Sequence, residues 1–383
     1  MGEQNNEHVE NESQVYMCSN CGGNMEFDIK IQKLKCPYCG NEEEIYDSNK
    51  EIKEYSFDDV LKQEENSTWN EEVTVVKCEN CGAETVADKN STAVICSYCG
   101  SSHVLESKIA AGIKPEGIIP FKKDKNDARL LFEKWIKSRW LAPNALKHLY
   151  QSDKMMSIYV PYWTYDTETY NTYTAQGGKH YYVTVERDGK KQTVQKTRWY
   201  PVSGRFSHFF DDVLVNGSKN FNDNIMLKIE PFNTSQVEPY RPEYISGFTA
   251  ERYSRGVKDG FEIAKGKMED VLVNEVSSIV RRRYDVVSGI NVNTSYSDVT
   301  YKHVLFPVWT ARYDFNGKEY RYIINAQTGR VSGTSPISPV KVSILVIIII
   351  AIIILVLYFS GAFSGGSSSE YAYNNIFIIL EMI

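Results

Sequence analysis

Cys18-Ser-Asn-Cys21, fourteen residues, then Cys36-Pro-Tyr-Cys39 make the first copy of a repeat. Cys78-Glu-Asn-Cys81, again fourteen residues, then Cys96-Ser-Tyr-Cys99 make the second, sixty residues downstream. These eight positions are all the cysteines of the chain. A glycine follows each pair (Gly22, Gly40, Gly82, Gly100), as a tight turn requires where the backbone must adopt φ > 0. Such spacing is that of a four-cysteine zinc ribbon, in which two hairpin turns each offer two thiolates to one tetrahedral ion. A disulfide framework or a redox pair competes with it. Disulfides need an oxidising compartment, and the opening Met1-Gly-Glu-Gln-Asn-Asn-Glu7 has neither the basic region nor the apolar core of a secretion signal. A redox motif would not come as four pairs at matched spacing. The expectation is two structural Zn²⁺ ions, each closed by four sulfurs with no open coordination position, and each folding a module too small for a core of its own.

The other end is equally informative. Val342 to Phe359 reads VSILVIIIIAIIILVLYF, without a charge. At about 1.5 Å per residue it nearly crosses a hydrocarbon layer of about 30 Å, and Gly361-Ala-Phe363 can extend it. A buried core helix or strand is the alternative, but so long and β-branched an apolar run has little place in a soluble domain. Lys341 abuts its N-terminal side, Arg330 is near, and the segment beyond has no Lys or Arg. The positive-inside rule then leaves the bulk of the chain in the cytoplasm, the side that reduced cysteines also require. The expected protein is single-pass and tail-anchored in the cell membrane.

Charge is unevenly spread. Residues 1–110 hold nine Lys/Arg against twenty-two Asp/Glu, a net of −13, whereas residues 111–341 carry a net of +9. Four thiolates on each zinc add further negative charge to the acidic part. Nucleic-acid affinity comes largely from Lys/Arg neutralising phosphate, so these ribbons favour docking to protein over binding a polyanion. Between them, Glu42-Glu43-Glu44 and the surrounding residues read as a polar linker rather than a binding tail. Ser56-Phe-Asp-Asp59 has an N-cap pattern leading into Val60-Leu61.

From Gly112 the texture changes. Asp124 starts a helix carrying Leu130, Leu131, Trp135, Ile136 and Trp140 at helical spacing, closed by Pro143 near Leu141. Its two tryptophans read as core, with a partner groove as the alternative. Val160-Pro-Tyr-Trp-Thr164 is echoed by Phe306-Pro-Val-Trp-Thr310. Gly177-Gly178 reads as a turn, Asp188-Gly189 as a hairpin between Tyr181–Glu186 and Gln192–Tyr200, and Asn316-Gly317 as a second hairpin before Tyr320–Ile324, which Ala326-Gln-Thr-Gly329 ends. Six to eight antiparallel strands are expected, interrupted by one helix from about Thr249 to Arg283 that Gly256, Gly260 and Gly266 weaken. Arg281-Arg-Arg283 at its end reads as a complement to the helix dipole, or as a contact with anionic lipid. The twenty-six tyrosines suit strands as well as a binding face.

The whole is thus α+β: residues 1–14 a disordered N-terminus, 15–46 the first ribbon, 47–74 an acidic linker with a short helix, 75–108 the second ribbon, 112–335 the strand-rich domain with one long helix, 340–363 the membrane helix and 364–383 a tail. No phosphate loop, nucleophile elbow or GxGxxG is present, and the histidines form no pair by spacing, so no enzyme, no catalytic residue and no small-molecule substrate is expected.

The duplicated ribbons, Pro120-Phe121 with Trp135 and Trp140, Ala142-Pro143-Asn144, the Pro161-Tyr-Trp-Thr-Tyr-Asp166 element and the single apolar span together resemble the YdjG-like bacterial membrane proteins. Their ribbons attract labels such as transcription-factor-IIB-type or primosomal helicase-like. A helicase is excluded here by the missing Walker motif. The resemblance implies a membrane adaptor in an envelope-stress system, recruiting flotillin-like (SPFH) and phage-shock-type proteins, with the ribbons as docking modules. The alternative is a membrane-tethered protein that binds nucleic acid or the transcription and replication machinery.

Overall fold

The computed structural model describes residues 16–46, 51–59, 74–77, 84–87, 93–95, 102–104, 113–145, 155–187 and 190–359. Strands β1 (Glu26–Asp28), β2 (Lys33–Lys35) and β3 (Glu42–Glu43) form a small antiparallel sheet within the first cysteine repeat. β4 (Tyr55–Ser56) precedes a 3₁₀ turn over Phe57–Asp59. In the second repeat β5 (Thr74–Lys77) pairs with β6 (Glu84–Ala87), and β7 (Ala93–Ile95) with β8 (Ser102–Val104), both antiparallel. After β9 (Gly117–Ile118) and helix α1 (Lys125–Ser138) come the strands that dominate the molecule, β10 (Met156–Arg187) and β11 (Lys190–Asn216). Then follow α2 (Asp223–Ile229), β12 (Glu238–Pro239), β13 (Thr249–Glu251), α3 (Val257–Arg281), β14 (Val286–Phe315), β15 (Lys318–Asn325), β16 (Val331–Gly333) and α4 (Pro339–Phe359).

Strands β10, β11 and β14 are 32, 27 and 30 residues long. At ~3.3 Å per residue the longest spans about 100 Å of chain. β10 is central, antiparallel to β11 from Tyr162↔Asn216 to Arg187↔Lys190 and to β14 from Met156↔Thr310 to Gly178↔Val286. The two echoed motifs therefore lie side by side, with Val160 opposite Phe306 and Pro161 opposite Leu305. Among the described residues the sheet holds eleven strands, and β9 and β13 join it in parallel. The expected six to eight antiparallel strands are thus replaced by a mixed sheet with a few very long members.

Gly177-Gly178 makes no turn but runs inside β10. A Cβ on Gly177 would meet the Tyr284 ring at 2.5 Å, and one on Gly178 would meet Thr197 and Val286 at 2.6 Å. The glycines serve close packing in a strand. At Asn316-Gly317 the hairpin forms as read, with φ of 51° and 73°, the signature of the two-residue turn that favours Asn-Gly.

Around Tyr159–Tyr162 both faces of the sheet are buried. Ile158, Val160 and Tyr162 pack with Met226, Ile229 and Phe232 on the α2 side. Tyr159 packs with Phe121, Phe132 and Trp309 on the α1 side. α3 covers the next stretch, burying Trp163, Tyr165 and Phe210 beneath Phe261, Ala264 and Met268, and then Tyr173 beneath Val276 and Val280. Trp163 Nε1 donates to Arg255 O (2.8 Å) and Tyr165 hydroxyl to Val257 O (2.6 Å), fixing where α3 begins. The helix starts at Val257 rather than near Thr249, because Thr249–Glu251 is drawn into the sheet as β13. It runs unbroken through Gly260, whose missing Cβ makes room for the Tyr165 hydroxyl at 2.3 Å. Beyond Gly178 the third strand ends, and β10 and β11 continue as a two-stranded ribbon.

α1 opens on Asp124 with a reciprocal capping box to Asp127. Phe132, Trp135 and Ile136 are buried, but Trp140 lies beyond the helix and is 58% exposed, so only one of its two tryptophans belongs to the core. Among the described residues α4 is the one helix long and apolar enough to cross a membrane, by length and composition, and none of it is buried.

Candidate metal centre

Two near-identical knuckles build the first site. Gly22 N donates to Cys18 O (2.9 Å) and Gly40 N to Cys36 O (2.9 Å). Each turn is closed by a further bond, Cys18 N to Gly23 O and Cys36 N to Asn41 O, both 2.8 Å. Gly22 and Gly40 have φ of 72° and 76°, the left-handed backbone their positions after each cysteine pair required.

These turns bring Cys18, Cys21, Cys36 and Cys39 together, with all four Sγ atoms within 4.8 Å of one another. Cys18 and Cys39 Sγ lie 3.5 Å apart, Cys21 and Cys36 Sγ 3.4 Å. Both distances are far beyond the about 2.05 Å of a disulfide. A tetrahedral ion with metal–sulfur bonds of about 2.3 Å puts neighbouring sulfurs about 3.8 Å apart, so the set could hold a metal ion with small adjustments.

Electrostatics point the same way. The backbone N–H of Cys39 holds the Cys36 thiol below its usual range, and the N–H of Asn41 does so for Cys39. At Cys21 the N–H of Gly23 acts in that direction too, but the neighbouring thiols Cys36 and Cys39 outweigh it and push the group up to about 12. Four sulfurs at this spacing cannot all ionise unless a cation shares them, and a divalent metal supplies that charge.

The module is fixed to the body of the protein. Phe27 meets Tyr244 edge-on at 5.3 Å and lies 6.2 Å from Phe248. Phe27 N donates to Ser246 O (3.1 Å), Ser246 Oγ to Met25 O (2.7 Å) and Gln32 Nε2 to Phe121 O (2.8 Å). Lys30 pairs with Asp124, the cap of α1, at 3.1 Å. The linker read as polar also touches the body: Phe57 packs on Phe261 at 4.7 Å, and Tyr55 donates to Glu116 (2.7 Å). The cysteines of the second repeat, Cys78, Cys81, Cys96 and Cys99, lie outside the described residues. Of that module, β6 pairs with β13 and so joins the main sheet.

A second cluster went unread in the sequence. Asp166, Asp211 and Asp212 present carboxylate oxygens within 4.8 Å of one another. They meet where the pairing of β10 slips against both neighbours, with Asp212 and Asp298 each at φ 51°. Only the fold brings them together. Burial chiefly pushes Asp166 up to about 6; the Asp212 N–H opposes this and Glu54 adds to it. This cluster already has its cation, since the Lys302 ammonium lies 2.8 Å from Asp212 and 2.9 Å from Glu54. It reads as an ion network at the bulge, with Asp166 buried, Lys302 and Asp212 half-buried, and Asp211 and Glu54 exposed.

The chain is similar to YdjG of Bacillus subtilis (strain 168), itself described as uncharacterized, with 26% identity over 332 residues that span 86% of this chain and 92% of the relative. No family model and no solved structure matches.

Proposed function

We propose that the chain is a membrane-anchored adaptor. Zn²⁺ folds each cysteine repeat, the modules dock partner proteins, and α4 crosses the membrane with the bulk of the chain in the cytoplasm. The observation that carries this reading is the outer surface of the first module, where Tyr38 is 79%, Tyr46 84% and Met17 63% exposed. Tyr38 stands between two of the cysteines, on a turn that the ion would rigidify. Aromatic and methionine side chains held out on a rigid support are the material of interaction hot spots, and here the opposite side of the module is already committed to the body. Lys341 in the first turn of α4, Arg330 before it, and the lack of Lys or Arg in residues 360–383 support the orientation. The resemblance supports flotillin-like and phage-shock-type proteins as the partners.

Affinity purification of the full-length protein from gently solubilised membranes tests this, beside a variant with serine at Cys18, Cys21, Cys36 and Cys39. Partner proteins that co-purify with the wild type and vanish with the variant, while both chains stay in the membrane fraction, are the expected result. Partners retained by the variant would remove the docking role of the module.

A second reading has its own observation. On the projecting ribbon of β10 and β11, Lys179 lies opposite Arg198 and Tyr181 opposite Lys196, all exposed. Arg198 covers the Tyr181 ring at 5.3 Å and Lys179 the Tyr284 ring at 5.9 Å, next to exposed Arg281, Arg282 and Arg283. A narrow basic ribbon with aromatic faces suits nucleic acid. A mobility shift of the full-length protein that weakens steeply with salt supports this reading, and no shift at low salt ends it.

A further inference from the structure

The connection between the sheet and α4 is not a tether. Thr334 N donates to Arg321 O (3.0 Å), Pro336 is buried, and Ser338 N donates to Leu141 O (2.8 Å). Within the first turn of α4, the Lys341 ammonium donates to Trp140 O (2.9 Å), Ala142 O (2.7 Å) and Asn144 Oδ1 (2.9 Å). That is a full set of donors for one ammonium, all spent on the loop that follows α1. A lysine at this position in a membrane helix ordinarily reaches for water and lipid phosphate; here it clamps the helix to the folded body. Trp140 is thereby held beside the first turn of the apolar helix, with its side chain more than half exposed. Arg139 stacks over Trp135 at 4.8 Å, and Lys134 is exposed on the last turns of α1. Lys137 is engaged with Glu133. The surface beside the helix entry thus has an exposed indole and a net positive charge.

We propose that residues 134–144 form a lipid-facing mount. The Trp140 indole sits in the headgroup region of the bilayer that α4 enters, and Lys134 and Arg139 face anionic lipid headgroups. The occupant follows from continuity: whatever lies around the first turn of α4 also lies around Trp140, because Lys341 joins the two. Tryptophan is enriched at this level of a membrane protein, and cations near an anionic leaflet are attracted to it. The mount sets the body rigidly on the membrane, and the tip of the β10–β11 ribbon lies at the other end of the long strands. Phe132 on α1 stacks on Tyr322 and lies near Tyr313 at the β14–β15 end, and the pairing of β10 with β14 runs from there to Gly178.

The inference rests on reading α4 as a membrane span, and the test separates the two. Full-length protein is reconstituted into phosphatidylcholine vesicles with and without phosphatidylglycerol, the lipids carrying bromine high on their acyl chains, and tryptophan emission is recorded. Flotation of the vesicles after alkaline washing reports the span on its own. The expected result is that wild type and Trp140→Phe both float, that wild-type emission is quenched, and that the Trp140→Phe variant loses that quenching. Lys341→Leu should float yet show weaker quenching than wild type. Trp140 is exposed, so phenylalanine there leaves the fold intact. Equal quenching of wild type and Trp140→Phe in floating vesicles overturns the mount while leaving the span in place. Failure to float overturns the span. Quenching that does not rise with phosphatidylglycerol removes the role given to Lys134 and Arg139.

Discussion

Around the first cysteine site the buried core consists of Cys18, Met25, Leu34 and Cys36, two apolar side chains and two sulfur donors. Under α3 and around Tyr162 it runs through Trp163, Tyr159, Tyr162, Tyr165, Tyr301 and Phe306, all fully buried. Burying one Met and one Leu contributes about 3–6 kcal/mol, which cannot offset the ~1–2 kcal/mol per residue that ordering such a segment costs. The sheet buries many large aromatic groups and needs no such help. The difference teaches that the two regions should respond to different perturbations: the module to loss of the ion proposed for it, the sheet to loss of aromatic packing.

The largest effect is expected at a sulfur ligand. If the site holds the proposed zinc, Cys36→Ser should lower the metal content of the purified protein by one ion per chain and unfold residues 16–46, since a structural zinc contributes on the order of 10 kcal/mol to so small a fold. Elemental analysis with proteolysis of the first module checks this. Unchanged metal content would break the comparison.

Next comes the sheet. Trp163→Ala removes a fully buried indole and its bond to Arg255 O, and should cost about 3–5 kcal/mol in a denaturant titration with metal content unchanged. Phe27→Ala sharpens the comparison at the junction of the two regions. It should loosen docking against Tyr244 and Phe248 by about 2 kcal/mol, seen as faster hydrogen exchange in residues 241–248, and the cysteine site should keep its ion.

A smaller effect concerns the bulge. Burial raises Asp166 to about 6, above its value in an unfolded chain, so between about pH 4 and pH 6 the folded protein holds more protons than the unfolded one. The contribution of Asp166 to stability is therefore lost as pH rises through that window. Asp166→Asn should flatten this slope and raise stability at pH 7 by about 1 kcal/mol, measured by unfolding at several pH values. Smallest of all, Tyr182→Ala on the exposed ribbon should change stability by less than about 0.5 kcal/mol. A larger loss would mean that the ribbon packs against something.

How much of this was legible depends on the range of each signal. The first cysteine site, the Asn316-Gly317 hairpin, the Asp124 cap and the apolar helix are local patterns, and each lies where the sequence put it. Gly177-Gly178 misled because a glycine pair signals a turn only when no neighbour needs its missing Cβ, and Tyr284 and Val286 come from more than a hundred residues away. α3 began later than its periodicity suggested, since Thr249–Glu251 is claimed by β10. The Asp166 cluster and the Lys341 clamp join residues far apart in sequence, so no spacing could announce them.

The most direct test of the account is hydrogen exchange of the full-length protein in detergent, before and after a strong chelator removes bound metal. The predicted result is loss of protection across β1, β2 and β3, with β10 and β14 around Tyr159–Tyr165 and Val304–Val308 as protected as before. Retained protection in the module after demonstrated metal removal would contradict the account, and so would simultaneous loss in both regions.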